Sequence, residues 1–385
     1  MVGKVRISDV HHKVICGGKH LYCGHPWTFG IRDFGGGEIV IAHFHAPCAY
    51  REPRDVWHDF GYMRRSKVIL QRTLDGGETW PKELSLVLYD HTRPIEEQRR
   101  WLFQSEPRYE EIDMSKHDST LMTLRAYVGD PYVNPRTGDV ARGLVILAIR
   151  SADRGRTWEN SPILIKPSTM AEIADTGSFL KMDDGSLLHT FVGLTRRMAE
   201  DFLEHAIVYC SEDDGLTWHY LSTIARDPFG EVHYGYPALL ALPDGRIMST
   251  LGMMTFRGGV RWVGVTFSDD GGLTWSEPRR ITRWGTSPYP VLLKDGRILI
   301  VYAWRRTPPY GIRGRVSDDG GLTWSEEFII RGDGAGPDLG YPVATQLDDG
   351  RIFVAYYFNV YDDVARERNL RGGRRFIGGT TFYLE

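Results

Sequence analysis

The chain has 385 residues and a formal net charge of −3, with 47 basic and 50 acidic side chains. This mixture of signs gives no overall basic character, which argues against nucleic acid as a partner. No apolar stretch is long enough to span a bilayer, and the opening MVGKVRISDV lacks the apolar region of a secretory signal. We therefore expect no membrane partner, and either a cytoplasmic protein or a trimmed form of a secreted one.

One turn motif recurs along the chain. It reads Ser/Thr-x-Asp-x-Gly-x-Thr-Trp and occurs five times, at Thr73–Trp80, Ser151–Trp158, Ser211–Trp218, Ser268–Trp275 and Ser317–Trp324. The Asp can accept hydrogen bonds from amides of its own turn, and the Gly can adopt the positive φ of a tight hairpin. The Trp can bury its ring against neighbouring strands. Five copies indicate a repeated structural unit.

A second sequence pattern precedes most of these turns. It consists of an apolar strand, an Asp-Gly turn and another apolar strand, as in YPVATQLDDGRIFVAYYF. Together the two patterns predict a four-stranded unit, or blade. Blades begin near Trp27, Asp118, Asp175, Tyr236, Tyr289 and Tyr341. The sequence predicts an all-β fold, a six-bladed β-propeller of four-stranded antiparallel blades, as a single domain over residues 1–385. The N-terminal strand closes the last blade, and an insertion at about 90–117 contains a short helix.

If the strands alternate in direction, these turns share one face of the propeller. The loops of the opposite face, here called the top face, are then the expected place for function. Arginines gathered around a propeller mouth suit an anionic ligand. The candidate substrate-binding residues are His43, His45, His58, Arg64, His233, Tyr236, Arg261, Arg305 and Arg313.

Two histidines share a strand face, because His43 and His45 are two residues apart, and His58 and Asp59 follow in the next loop. This group could bind Zn²⁺, or one imidazole could remove a proton beside a uronate carboxylate. Substrate contact or proton transfer is favoured, and we expect no metal and no cofactor. Free thiols are expected for the cysteines, which form no CxxC motif: Cys16, Cys23, Cys48 and Cys210.

The recurring Ser/Thr-x-Asp-x-Gly-x-Thr-Trp turn is called an Asp box. With five Asp boxes on six predicted blades, the chain resembles the sialidase superfamily over nearly its whole length. The resemblance implies an Asp general acid, matched by Asp59 in HDFGYMRRSKVILQRTLDGGETW, and a Tyr nucleophile, matched by Tyr341 in GYPVATQLDDG. The Glu that pairs with the nucleophile in the family is replaced in register by Tyr236. Glu231, a short distance upstream, is the nearest candidate for that role.

The family's arginine triad for sialic acid is incomplete in this chain. Trp27 stands in HPWTFG where the family has its first Arg, and the Arg expected near the end of a strand in the fourth blade falls near Gly252. The nearest substitutes are Arg257, Arg261, Arg305, Arg306 and Arg313. Because these arginines bind the substrate in the family, this departure bears on which substrate is bound more than on which class of reaction is catalysed.

The resemblance leads us to expect a carbohydrate-active enzyme, an exo-acting glycoside hydrolase on an acidic or otherwise unusual terminal sugar, with a glycan as its partner. Asp59, Tyr341 and Glu231 are the expected catalytic residues. Two alternatives stay open: a polysaccharide lyase acting on a uronate-containing glycan, and a glycan-binding propeller without catalysis. Tyr341 also has a purely structural explanation, because Tyr236 and Tyr289 occupy the equivalent blade positions in the repeat.

Overall fold

The computed structural model describes residues 5–56, 64–133, 140–166, 172–196, 202–256 and 259–385. The strands of these residues form six antiparallel sheets, one per repeat, and confirm the six-bladed β-propeller. Blades 1 to 6 are numbered from the first Asp-box repeat. No described helix is both long enough and apolar enough to cross a membrane.

Blades 1 to 3 follow the chain order. Blade 1 contains β2 (Leu21–Gly24), β3 (Ile31–Asp33), β4 (Ile39–Pro47), β5 (Lys67–Thr73) and β6 (Leu86–Asp90), and its inner strand is in two pieces because β2 and β3 both pair with β4. Blade 2 contains, in its described part, β7 (Thr120–Val133), β8 (Val140–Ser151) and β9 (Ile163–Ile165). Blade 3 contains β10 (Glu172–Lys181), β11 (Leu187–Arg196), β12 (Phe202–Ser211) and β13 (His219–Ala225).

Blades 4 to 6 each have four strands. Blade 4 contains β14 (Val232–Ala241), β15 (Ile247–Thr255), β16 (Arg261–Ser268) and β17 (Arg279–Arg280). Blade 5 contains β18 (Thr286–Leu292), β19 (Ile298–Trp304), β20 (Tyr310–Ser317) and β21 (Phe328–Gly334). Blade 6 contains β22 (Gly340–Gln346), β23 (Ile352–Phe358) and β24 (Phe376–Leu384), with β1 (Ile7–Cys16) as its outer strand. The pairing of β1 with β24 covers an edge that would otherwise lie open.

The Asp-box turns are held by short-range hydrogen bonds. In the first copy, the Asp75 carboxylate accepts hydrogen bonds from the Thr73 hydroxyl at 2.6 Å, from the Thr79 amide at 2.9 Å and from the Thr79 hydroxyl at 2.6 Å. The Trp80 indole donates to the Gly77 carbonyl at 3.2 Å. These hydrogen bonds lower the pKa of Asp75, although burial opposes the effect. The other four copies repeat this pattern.

The hairpin turns of neighbouring blades contact one another. The Asp348 carboxylate of blade 6 accepts a hydrogen bond from the Gly36 amide of blade 1 at 2.8 Å and pairs with Lys294 of blade 5 at 3.2 Å. Arg351 of blade 6 pairs with Glu78 in the first Asp box at 2.9 Å. These contacts place the turns of blades 1, 5 and 6 on a common face, opposite the top face.

Hydrophobic clusters fill the spaces between neighbouring blades. Between blades 6 and 1, Ile41 packs in one cluster with Ala355 and Tyr357. Because each sheet is covered on both sides, strands such as β23 are apolar along their whole length, and all seven of its residues are buried. The fully packed ring gives the top-face loops a rigid support.

Short helices lie outside the blades. Helix α1 (Ile95–Leu102) belongs to the segment between blades 1 and 2, where Arg99 Nε donates to the Val128 carbonyl at 2.7 Å. The Trp101 indole donates to the Asn160 carbonyl at 2.7 Å, so this segment packs against blade 2. Helix α2 (Asp363–Glu367) connects β23 to β24, and 3₁₀ turns cover Pro26–Thr28, Pro53–Val56 and Lys82–Leu84.

Candidate functional site

The inner strands of blades 4, 5 and 6 each contain a β-bulge near the top face. In β14, Gly235 lies opposite Gly252 of β15, and the next paired residue, Ala238, lies opposite Thr250. Two residues of β14 therefore face one residue of β15. The same step occurs in β18 and β22. A positive φ of 50–52° occurs in each bulge, at Tyr236, Ser287 and Tyr341. Bulges commonly re-aim side chains next to functional sites.

The bulges correct one expectation from the sequence. The residue equivalent to Tyr236 and Tyr341 in blade 5 is Ser287, because each of the three precedes a proline and occupies the positive-φ position. Tyr289 lies two residues further on, where it pairs with Val301 as an ordinary strand residue. The repeat therefore does not place a tyrosine at this position in every blade, and the purely structural explanation for Tyr341 loses its support from Tyr289.

The two bulge tyrosines meet across the propeller. Their hydroxyl oxygens are 2.8 Å apart, although Tyr236 and Tyr341 are separated by 105 residues. The His25 ring packs edge-on against Tyr341 at 4.8 Å between centroids, and Trp27 packs edge-on against Tyr236 at 5.3 Å. Burial raises the pKa of Tyr236 well above its usual value, and the Tyr341 phenol adds to this effect.

Tyr236 occupies space that an arginine would need at the neighbouring strand. A Cβ added at Gly252, where the sequence comparison expected the family's Arg, would lie 2.7 Å from the Tyr236 ring. The first family Arg is replaced by Trp27, which is buried and donates its indole N–H to the Pro288 carbonyl at 2.9 Å. Both missing arginines are therefore replaced by packed aromatic side chains.

Arg305 lies beneath the tyrosine pair. Its guanidinium carbon is 4.9 Å from the centroid of the Tyr341 ring and 5.9 Å from that of Tyr357, within cation–π range. Its Nε and Nη2 atoms are buried, and neither has a hydrogen-bond partner among the described residues. A Cβ added at Gly340 would lie 3.1 Å from Arg305 Nη2, so the glycine leaves room for this cation.

A buried ion pair supports the same region. The Asp338 carboxylate accepts hydrogen bonds from Arg375 Nε at 2.9 Å, from Arg375 Nη2 at 2.8 Å and from the Tyr357 hydroxyl at 2.8 Å. Arg375 is fully buried and also donates to the carbonyls of Leu370, at 2.6 Å, and Gly372, at 3.3 Å. The pair thus fixes both the Tyr357 ring and the loop that precedes β24.

A half-buried carboxylate, that of Glu204, lies beside the residue that precedes Tyr236. Glu204 in β12 approaches the backbone of blade 4, since a Cβ added at Gly235 would lie 3.0 Å from Glu204 Oε2. Its amide donates to His233 Nδ1 at 3.2 Å. Burial raises the pKa of Glu204, and the charges of His233 and Arg261 oppose this. The charge of Glu204 in turn contributes to the raised pKa of Tyr236, after burial and Tyr341.

A cavity of about 510 Å³ opens beside these groups. Its lining includes Arg261, Trp284, Arg305, Asp338 and Arg371. Each of these residues lies in or beside a connection of the top face, so the cavity is formed by loops rather than by the hairpin turns. Its volume lies within the usual range of small-molecule sites.

Comparison with known proteins places this fold in a family. Residues 121–354 match the BNR repeat-like domain. The chain belongs to the BNR repeat-like family. This membership and the Asp-box propeller confirm the resemblance to the sialidase superfamily at the level of fold and repeats. A comparison with curated proteins gives no match.

Solved structures superpose on this propeller at low sequence identity. A protein of unknown function from Dyadobacter fermentans superposes with a TM-score of 0.74 and 23% identity, covering 100% of both chains. A Hadza microbial sialidase gives 0.61 and 18%, covering 94% of this chain and 65% of that one. An α-L-arabinanase from Penicillium chrysogenum, complexed with arabinobiose, gives 0.59 and 15%, covering 96% and 97%. At these identities the likeness establishes the fold alone.

The BNR repeat-like scaffold gathers some of the candidate residues and separates others. Tyr341, Tyr236 and Arg305 are in contact, and Arg261 shares the cavity with Arg305. Glu231 is exposed in the loop before β14, where its amide donates to the Asp227 carboxylate at 2.6 Å. Asp59, His58 and Arg257 lie outside the described residues.

Two candidate arginines lie elsewhere. Arg313 is buried in blade 5, with its guanidinium carbon 5.2 Å from the Trp304 ring centroid and Nη2 donating to the Pro309 carbonyl at 2.9 Å. Arg64 lies over the Tyr127 ring at 4.0 Å and lines a different cavity with His91. Arg313 therefore packs within blade 5, and Arg64 packs against Tyr127 of blade 2.

The two strand histidines neighbour two cysteines. Cys16 Sγ lies 3.7 Å from Cys23 Sγ, and a ring nitrogen of His45 lies within 4.8 Å of both sulfurs. The Cys23 thiol lowers the pKa of Cys16; burial opposes this, and the imidazoles of His43 and His45 lower it further. All four cysteines of the chain are free thiols.

Sequence reasoning missed several groups of this site. Glu204 and Arg375 were not selected because each stands in or beside a largely apolar strand and outside any motif. A buried charge within an apolar run is itself a signal, because such residues are seldom fully buried unless paired. Tyr357 gave no such signal, because in the sequence it is one of several apolar residues of β23.

Proposed function

We propose that the protein is a glycoside hydrolase that removes an acidic terminal sugar from a glycan in the top-face cavity. The observation that carries this proposal is the position of Arg305 against the ring of Tyr341, whose hydroxyl contacts that of Tyr236; Arg305 Nε and Nη2 are buried and have no hydrogen-bond partner among the described residues. A guanidinium left free in this way suits a carboxylate ligand.

The charges of the cavity support an anionic substrate. Arg261, Arg305 and Arg371 line it, whereas the carboxylate of Asp338 is already paired with the buried Arg375. A sugar carboxylate would supply the missing counter-charge. The cavity volume of about 510 Å³ suits the end of a glycan better than a long internal stretch, which supports exo action.

The tyrosine pair supports a mechanism through a phenol nucleophile. A neutral phenol approaching an anionic sugar avoids the repulsion that a carboxylate nucleophile would meet, as in the tyrosine exception among glycosidases. The Tyr341 oxygen would attack the anomeric carbon while its proton passes to the Tyr236 oxygen. The Tyr236 proton would pass in turn to Glu204, whose raised pKa makes it a stronger base.

The leaving group needs a proton from a general acid. Asp59 remains the candidate for this role on the sequence resemblance, and it would protonate the leaving oxygen as the glycosidic bond breaks. Water then attacks the sugar–tyrosine bond with the proton transfers reversed, which releases the sugar and restores Tyr341. Atoms and protons balance over the two steps.

A lyase acting on a uronate is the second candidate. The observation that favours it is the His25 imidazole at 4.8 Å from the Tyr341 ring, because a His and a Tyr beside an arginine can remove the proton next to a carboxylate and protonate the leaving oxygen. His43 and His45, the bases expected from the sequence, lie beside Cys16 and Cys23 instead. The two reactions give different products.

A glycan panel tests the proposal. Acidic and neutral oligosaccharides would be incubated with the protein, and products followed as new reducing ends and as the ultraviolet absorbance of unsaturated uronates. We expect a released acidic monosaccharide, with Tyr341→Phe lowering kcat by about a hundredfold or more. Tyr289→Phe is the matched control and should retain activity. An unsaturated product, or glycan binding without any product, would contradict the hydrolase.

A further inference from the structure

A group of soft ligand atoms forms where the last blade closes onto the first. Cys16 ends β1, the outer strand of blade 6, while Cys23 in β2 pairs directly opposite His45 in β4 of blade 1. The two sulfurs are 3.7 Å apart, and the two sulfurs and a ring nitrogen of His45 all lie within 4.8 Å of one another. Two different blades therefore contribute to one cluster.

The His43 imidazole lies beside this cluster. Its ring stacks near that of His45, with centroids 6.5 Å apart and planes 12° from parallel. Its Nδ1 lies 2.9 Å from the Phe44 carbonyl oxygen, and because a carbonyl only accepts, Nδ1 carries the proton. In the neutral ring Nε2 then has a free lone pair. That atom is buried and has no hydrogen-bond partner among the described residues.

We propose that Cys16, Cys23 and His45 bind a divalent cation of the Zn²⁺ type. Zn–S bonds are about 2.3 Å, so two thiolates on a tetrahedral ion stand about 3.8 Å apart. The observed 3.7 Å agrees with that spacing and is far longer than the S–S bond of a disulfide, about 2.05 Å. Thiolate and imidazole donors select Zn²⁺ over Mg²⁺ or Ca²⁺.

The site would act structurally rather than in the reaction. None of the three ligands lines the top-face cavity, so the ion would lie away from the substrate. Its ligands join β1 to the inner part of blade 1, so the ion would fasten the strand that closes the ring. This role requires neither the hydrolase nor the lyase reaction, and its failure would leave the proposed function untouched.

Cobalt binding to the whole chain tests the site. The metal-free protein, kept reduced, would be titrated with Co²⁺, followed by the thiolate-to-cobalt charge-transfer absorbance, and Zn²⁺ affinity measured by competition. We expect one ion per chain, displaced by Zn²⁺. Cys16→Ser and His45→Gln should each weaken Zn²⁺ binding by about a hundredfold or more, since even residues that only support ligands contribute 10–100-fold.

Cys48→Ser is the matched control, because Cys48 is buried and its thiol donates to the Asp55 carbonyl at 3.4 Å, away from the cluster. This variant should bind as the unsubstituted chain does. The direct titration of the unsubstituted chain decides the matter even if a variant fails to fold. Absence of the charge-transfer band there, or a Cys16–Cys23 disulfide that leaves no thiol to bind, would overturn the proposal.

Discussion

Replacing the Asp338 carboxylate should cost far more stability than replacing a surface carboxylate of the same kind. Asp338→Asn preserves the shape but removes the charge that balances Arg375, whose side chain has 0% exposure. Burial disfavours the charge of Arg375, and the Asp338 carboxylate raises its pKa above the usual value. Removing one partner of a buried pair destabilises proteins by about 3–5 kcal/mol. We expect a loss in that range.

Asp295→Asn provides the control. Asp295 also pairs with an arginine, Arg297 at 2.8 Å, but its side chain is 49% exposed. Exposed pairs contribute about 0–1 kcal/mol. Urea unfolding of the three proteins gives the differences in free energy from the midpoints, provided the slope m is unchanged. If the two variants lost equal stability, the view that a buried ion pair supports the cavity wall would be wrong.

Four further predictions concern the proton path. Glu204→Gln should lower kcat/KM by about a hundredfold and remove the acid limb of its pH profile. Because burial raises the pKa of Glu204, activity of the unsubstituted enzyme should fall with decreasing pH at values above the ordinary Glu pKa of about 4.3. Gly235→Ala should displace the Glu204 carboxylate, 3.0 Å from the new Cβ, and lower kcat with little change in far-ultraviolet circular dichroism. Tyr236→Phe should lower kcat by about tenfold or more, and unchanged activity would exclude a relay through its hydroxyl.

The fold was predictable because its signals are local. The hydrogen bonds that shape the turn of an Asp box, such as those between Asp75 and Thr79, join residues at most four positions apart. The motif therefore determines its turn wherever it occurs, and five copies with regular apolar strands leave few alternatives to a propeller. The same regularity indicated that function belongs to the opposite face.

The site was only partly predictable, because its contacts join distant strands. Tyr341 was found through the family resemblance, and Tyr236 was selected as a candidate binding residue in the place of a glutamate, but the contact between their hydroxyls was not predicted. Glu204 could not be selected, since its role depends on how closely blade 3 approaches Gly235. Cys16 and Cys23 show no metal motif in sequence, because strand pairing within blade 1 brings Cys23 to His45 and ring closure brings Cys16 to both.

The bulge position shows how a repeated scaffold produces one asymmetric site. Tyr236, Ser287 and Tyr341 share the same left-handed backbone, which is unfavourable for L-residues by about 1–2 kcal/mol each and unusual for bulky ones. A glycine would relieve that strain at any of the three. Blade 5 has a serine whose buried hydroxyl has no partner in the described part of the chain, whereas blades 4 and 6 have tyrosines that meet at 2.8 Å. If backbone geometry alone governed these positions, glycine would serve in all three. Strain retained at two tyrosines whose hydroxyls meet beside Arg305 is the pattern expected where the hydroxyl groups have a role, in agreement with the proposed function.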